Sequence, residues 1–193
     1  MAWIALALGL LTLAPPSVVT DPVYPPNAVA GGAVVAALEI QKGAVTAVEI
    51  LSGAEPFAGS VRQALSTWRF PAMVVRARVP VVVVFAGPNL LPAASAGESR
   101  PRGTRRSDDL PLPSRLSEPV YPPNAWGGGA VTLRLEIDPS GAVRRSAVVK
   151  ALGAFTDAAR EAIAQWRFTP ARPGRSDEAL AVVVFRPPVL SSR

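Results

Sequence analysis

Apolar residues follow two rhythms along this chain, and each rhythm occurs twice. Val34, Ala36, Leu38 and Ile40 point one way, while Glu39 and Gln41 point the other. That alternation is the period of a half-buried strand. Val131, Leu133, Leu135 and Ile137 alternate in the same way with Thr132, Arg134, Glu136 and Asp138. A turn ends each run: Lys42-Gly43 in the first, Asp138-Pro139-Ser140-Gly141 in the second. A second strand follows each turn. Its marked positions are Val45, Val48 and Ile50 in one case and Val143, Ser146 and Val148 in the other. A spacing of three and then two predicts a β-bulge near the start of both strands.

The period then changes to that of a helix. Phe57, Val61, Ala64, Leu65 and Trp68 make one apolar stripe, and Phe155, Ala159, Ala162, Ile163 and Trp166 make its counterpart. Pro71 ends the first helix, and Asp157 places a carboxylate in the first turn of the second. Valine-rich strands follow over residues 79–85 and 180–186. Pro80 belongs near a strand's start or on an edge, and Pro187-Pro188 stops the last strand.

The two sets are tied together by a literal repeat. Pro22-Val23-Tyr24-Pro25-Pro26-Asn27-Ala28 returns as Pro119-Val120-Tyr121-Pro122-Pro123-Asn124-Ala125. A repeat of this kind is read before any single motif. It divides the chain into two small domains, 21–87 and 118–188, each ordered β-β-α-β. Residues 88–117, rich in Pro, Ser, Gly and Arg, read as a solvated linker, and 189–193 as a tail. The expected class is α+β. Each domain is expected to be a three-stranded antiparallel sheet with one main helix on its apolar face.

Composition removes several functions. There is no Cys and no His among the 193 residues, which excludes thiol catalysis, zinc–thiolate sites and the usual general base. Lys42 and Lys150 lack a Ser partner at a catalytic spacing, and Glu39, Glu49 and Glu136 lie on expected solvent faces. Gly127-Gly128-Gly129 precedes a strand, not a helix, so it does not cradle phosphate. No catalytic, cofactor-binding or metal-binding residue is expected, and no enzyme. Net charge is +6. The densest cluster, Arg100, Arg102, Arg105 and Arg106, lies in the linker beside Asp108 and Asp109, so nucleic acid is not an expected partner.

Residues 3–14 are apolar and uncharged. As a helix they would span about 18 Å, against a hydrocarbon core of about 30 Å. They suit the apolar region of a secretory signal better than a membrane span. Residues 1–20 are therefore read as a signal peptide, with a short, weak membrane anchor as the alternative. Export is thus expected.

Four features, each present twice, carry a family resemblance. They are Tyr-Pro-x-x-Ala (Tyr24 to Ala28, Tyr121 to Ala125), a Gly before an alternating strand, a second strand opening Gly-x-Val, and a Phe-led helix ending Trp-Arg-Phe. The chain resembles the TonB C-terminal domain family, in tandem. Trp166-Arg167-Phe168-Thr169-Pro170 matches the family's Trp-Arg-Phe-x-Pro. Trp68-Arg69-Phe70-Pro71 has its Pro one residue early, and Gly59 stands where the second copy has Asp157.

The resemblance implies the periplasm as the compartment, and binding of an extended peptide, such as the TonB box of an outer-membrane receptor, beside the last strand of a domain. Backbone pairing on a free edge supplies the physical reason. The implied edges are Val81, Val82, Val83, Val84 and Phe85, and Ala181, Val182, Val183, Val184 and Phe185. The same runs also read as strands buried on both faces. Tyr24, Pro25, Trp68, Arg69 and Phe70, with Tyr121, Pro122, Trp166, Arg167 and Phe168, read as structural. A transducer of the family has a longer anchor bearing a His and a long spacer. Here roughly ten residues lead to Tyr24, reaching about 31 Å at most, so coupling to the proton gradient is not expected. The alternative is an envelope adaptor that self-associates through its sheet edges, including as a homodimer.

Overall fold

The computed structural model describes residues 13–28, 30–87, 98–99, 109–169, 174 and 176–186. The first half contains β1 (Gly32–Gln41), β2 (Ala44–Ser52), α1 (Phe57–Ser66) and β3 (Arg76–Phe85). Two strands follow in the stretch read as linker, β4 (Glu98–Ser99) and β5 (Leu112–Ser117). The second half contains β6 (Gly129–Ile137), β7 (Val143–Lys150), α2 (Ala154–Ala164), β8 (Arg167–Thr169) and β9 (Asp177–Phe185).

The expected β-β-α-β order appears in the first half, while in the second the short strand β8 comes between α2 and β9; a bulge lies near the start of the second strand in both. Opposite β1 the register jumps from Ala47 to Val45, leaving Thr46 unpaired; opposite β6 it jumps from Arg145 to Val143, leaving Arg144 unpaired. Asp138 closes the β6–β7 turn. Its carboxylate accepts from the Ser140 hydroxyl and from the backbone N–H groups of Ser140 and Ala142. Those bonds hold its pKa below the ordinary carboxylate value. Gly141 in the same turn has φ +85°, and an added Cβ would collide with the Phe168 carbonyl oxygen. Gly59 of α1, lacking the carboxylate of Asp157, donates its N–H to Glu55 Oε2 at 2.9 Å instead.

The two halves do not form separate sheets. They share one six-stranded sheet in the order β2-β1-β3-β9-β6-β7. β3 and β9 meet at its centre as a parallel pair, with Val81 opposite Leu180, Val83 opposite Val182 and Phe85 opposite Val184. All the other neighbours in this sheet are antiparallel. The strand ladder to β9 begins one residue after Pro80, so the N–H that Pro80 lacks is not demanded there.

A parallel join between similar halves puts their helices on opposite faces. Alternate residues of each central strand therefore enter two different cores. Val81, Val83 and Phe85 pack with Leu180, Val182 and Val184 beneath Val61, Leu65 and Trp68 of the first half. Val82 and Val84 pack with Ala179, Ala181, Val183 and Phe185 beneath Phe155, Ala159, Ile163 and Trp166 of the second. Each large side chain so buried contributes about 1.5–3 kcal/mol.

The segments leading into each half finish the structure by crossing to the other one. Leu110 and Leu112 cover Val35, Ala37 and Leu51 on the helix-free face of the first half, and Asp109 pairs with Arg78 at 2.8 Å. On the second half, Leu13 N–H donates to Glu178 Oε2 at 2.6 Å, Arg134 donates to the Leu13 carbonyl at 2.8 Å, and Lys150 pairs with Asp21 at 2.6 Å. Residues 110–117 are thus part of the fold, not a solvated linker. The apolar residues at 110, 112 and 116 are spaced by two and by four, too sparse a signal for a strand.

Candidate functional site

Residues 81–85 and 181–185, expected as two free edges, are brought together. Val81, Val82, Val83 and Phe85 are 0% exposed, as are Ala181, Val182 and Val183, and Val84, Val184 and Phe185 are 2% exposed. In this structure they are the centre of the sheet, so the expectation that they form open edges is corrected. The physical reason is their composition. A strand that is apolar on both faces is stable only when both faces are covered, and the parallel join supplies one helix to each face.

The aromatic motifs brace each half. Trp68 Nε1–H donates to the Thr20 carbonyl and Trp166 Nε1–H to the Ser117 carbonyl, both at 2.9 Å. The lead-in is thereby tied to the end of the helix in each half. Arg69 and Arg167 fold back onto the carbonyls of Trp68 and Trp166, at 2.8 and 2.7 Å. Phe70 and Phe168 are buried, and their N–H groups donate to the carbonyls of Gly43 and Gly141. Pro25 and Pro122 accept turn bonds from Ala28 and Ala125, each at 3.1 Å.

Tyr24 stands edge-on to Phe57 and Phe85, with centroids 6.0 and 5.6 Å away, and Tyr121 stands edge-on to Phe155 at 5.2 Å. The second half reaches back to Tyr24. Arg186 lies over its ring at 5.5 Å and donates to the Ala28 carbonyl at 2.6 Å. Burial raises the Tyr24 pKa; Arg186 opposes that shift and Glu118 adds to it. Burial also raises the Glu118 carboxyl above its ordinary 4.5.

The outer strands of the sheet are β2 and β7, which the sequence reading did not single out. Their exposed faces are mixed in character. β7 carries Arg144, Arg145 and Lys150, whereas β2 carries only Glu49. A charged, bulged outer strand is how a sheet edge is kept from indiscriminate pairing. That signal was present in the sequence as the contrast between Val143–Lys150 and the uncharged runs at 81–85 and 181–185. Among the described residues no cluster of three or more acidic side chains is placed to hold a metal ion. No helix among them is long and apolar enough to cross a membrane.

Residues 117–186 match the family model described as Gram-negative bacterial TonB protein C-terminal. That match covers the second half, from the end of β5 to the residue after β9. Domains of this family are non-enzymatic protein-interaction domains of the Gram-negative envelope, with partners such as outer-membrane receptors. Searches of curated proteins and of solved structures return no match.

Proposed function

We propose that this chain is a non-enzymatic periplasmic adaptor of the TonB kind, built from two copies of the domain, that captures an extended segment of an envelope or outer-membrane protein by strand addition. The observation that carries the reading is a sheet assembled from both halves whose two outer strands, β2 and β7, each have one strand neighbour in it. Strand addition needs a row of unpaired backbone groups and little more. The pairing of residues 81–85 with 180–184 fits a division of labour. The two halves use on each other the strands that the family resemblance assigns to a partner, and leave β2 and β7 for capture.

Titrating the isotope-labelled full chain with a TonB-box peptide tests this by NMR. Shift changes confined to Ala44–Ser52 or Val143–Lys150 are the expected outcome. No shift change anywhere would count decisively against peptide capture. Changes along 81–85 and 181–185 would show instead that the central pairing opens and that the original edges are used.

The same pairing favours a second reading, an envelope adaptor whose sheet edges serve self-association. Light scattering separates the two, because growth of the particle with concentration belongs to the second alone.

A further inference from the structure

We propose that of the two outer strands it is β7 that takes the partner, and that the partner segment is acidic. This rests on the strand-addition reading and adds which edge is used and the chemistry that selects the ligand. β7 pairs with β6 on one side. β8 meets this part of the chain at Ala142, through the bridge to Arg167, just before β7 begins. The eight residues of Val143–Lys150 hold three cations and no carboxylate, while the nine of Ala44–Ser52 hold one carboxylate and no cation.

The carboxylates beside β7 leave much of this charge available. Arg144 lies 3.6 Å from Glu136 with its side chain 69% exposed. An ion pair so wet holds its partners weakly. Arg145 is exposed beside it. Lys150 is the one of the three tied down at short range, to Asp21. Val148, 44% exposed, adds an apolar position to the same strand. A second β7 strand would bring like charges face to face, which destabilises pairing. The edge therefore disfavours its own copy and favours an extended segment that alternates apolar and acidic residues. On β2 the outlook differs: the strand itself carries no cation, and its one carboxylate, Glu49, already accepts from Arg78 at 2.8 Å.

The test uses the labelled full chain and three eight-residue peptides, alternating valine with glutamate, with glutamine or with lysine. The glutamate peptide is expected to shift resonances along Val143–Lys150, to bind at least about tenfold more tightly than the lysine peptide, and to weaken as salt is raised. In the double variant Arg144→Glu, Arg145→Glu the order of the glutamate and lysine peptides reverses. Both positions are exposed, so the variant keeps the fold. Equal affinity for all three peptides overturns the proposal, and so do shifts that map to Ala44–Ser52 or to the central strands, although strand addition itself survives those results. If neither these peptides nor a TonB-box peptide binds anywhere, strand addition fails together with the choice of edge.

Discussion

At the scale of single residues, the molecule is held by side chains that do the same task in each half. Trp166 fills the core under α2 and also donates to Ser117 across the join between lead-in and helix. Trp166→Phe keeps most of the volume but orphans the buried Ser117 carbonyl, and should cost about 1–3 kcal/mol by chemical denaturation. Trp166→Ala removes both contributions and should cost about 3–5 kcal/mol. Equal losses in the two variants would show that the indole N–H carries the whole effect. Glu118 gives a pH signature. Its folded-state pKa is raised, so the folded chain binds this proton more readily than the unfolded chain does. Stability then falls as pH rises from the ordinary carboxylate value, 4.5, through the raised one. Glu118→Gln should flatten that slope in urea titrations over the acidic range; an unchanged slope would assign it to another group. The roles of both Trp residues were legible in the sequence, because each falls on an apolar helical stripe. The environment of Glu118 was not. Its raised pKa is caused by burial, and burial at this position depends on how the chain packs in three dimensions; the Tyr24 ring, whose own pKa Glu118 raises, lies far from it in sequence, in the other half.

At the scale of elements, the two hairpins, their turns, the helices, the long last strand of each half and the bulge near the start of each second strand could be read from periodicity alone, whereas β4, β5, β8 and the second register shift in each hairpin could not. Local spacing decides the former, and the structure places the expected bulges at Thr46 and Arg144. Pairing between halves could not be read that way. Residues 81–85 and 181–185 fit an open edge and a doubly covered strand equally well, and only the position of the other half decides between them. The lead-in segments were missed for a related reason. Leu110 is one of a few scattered apolar residues in a Pro-rich, charged stretch, yet it is 4% exposed against Val35, Ala37 and Leu51. Leu110→Ala should therefore cost about 2–5 kcal/mol, as a core position does. A change within a few tenths of a kcal/mol would mean that the lead-in is loosely seated.

At the scale of the whole molecule, the parallel join makes the two halves interdependent. Each central strand gives alternate residues to both cores, so neither core is complete without the other half. The full chain should unfold in one cooperative transition, with tryptophan fluorescence and far-ultraviolet circular dichroism coincident. Two separated transitions would mean that the halves are independent domains. The same join bears on the proposed function, since it places in the sheet's centre the very strands that the family resemblance implies for a partner, and β2 and β7 are its outer strands. The most direct test is the set of cross-strand nuclear Overhauser contacts in the full chain. The expected result is a continuous series in parallel register, with Val81 beside Leu180, Val83 beside Val182 and Phe85 beside Val184. Absence of that series, with amides at 81–85 and 181–185 exchanging as fast as those of β2 and β7, would contradict the account.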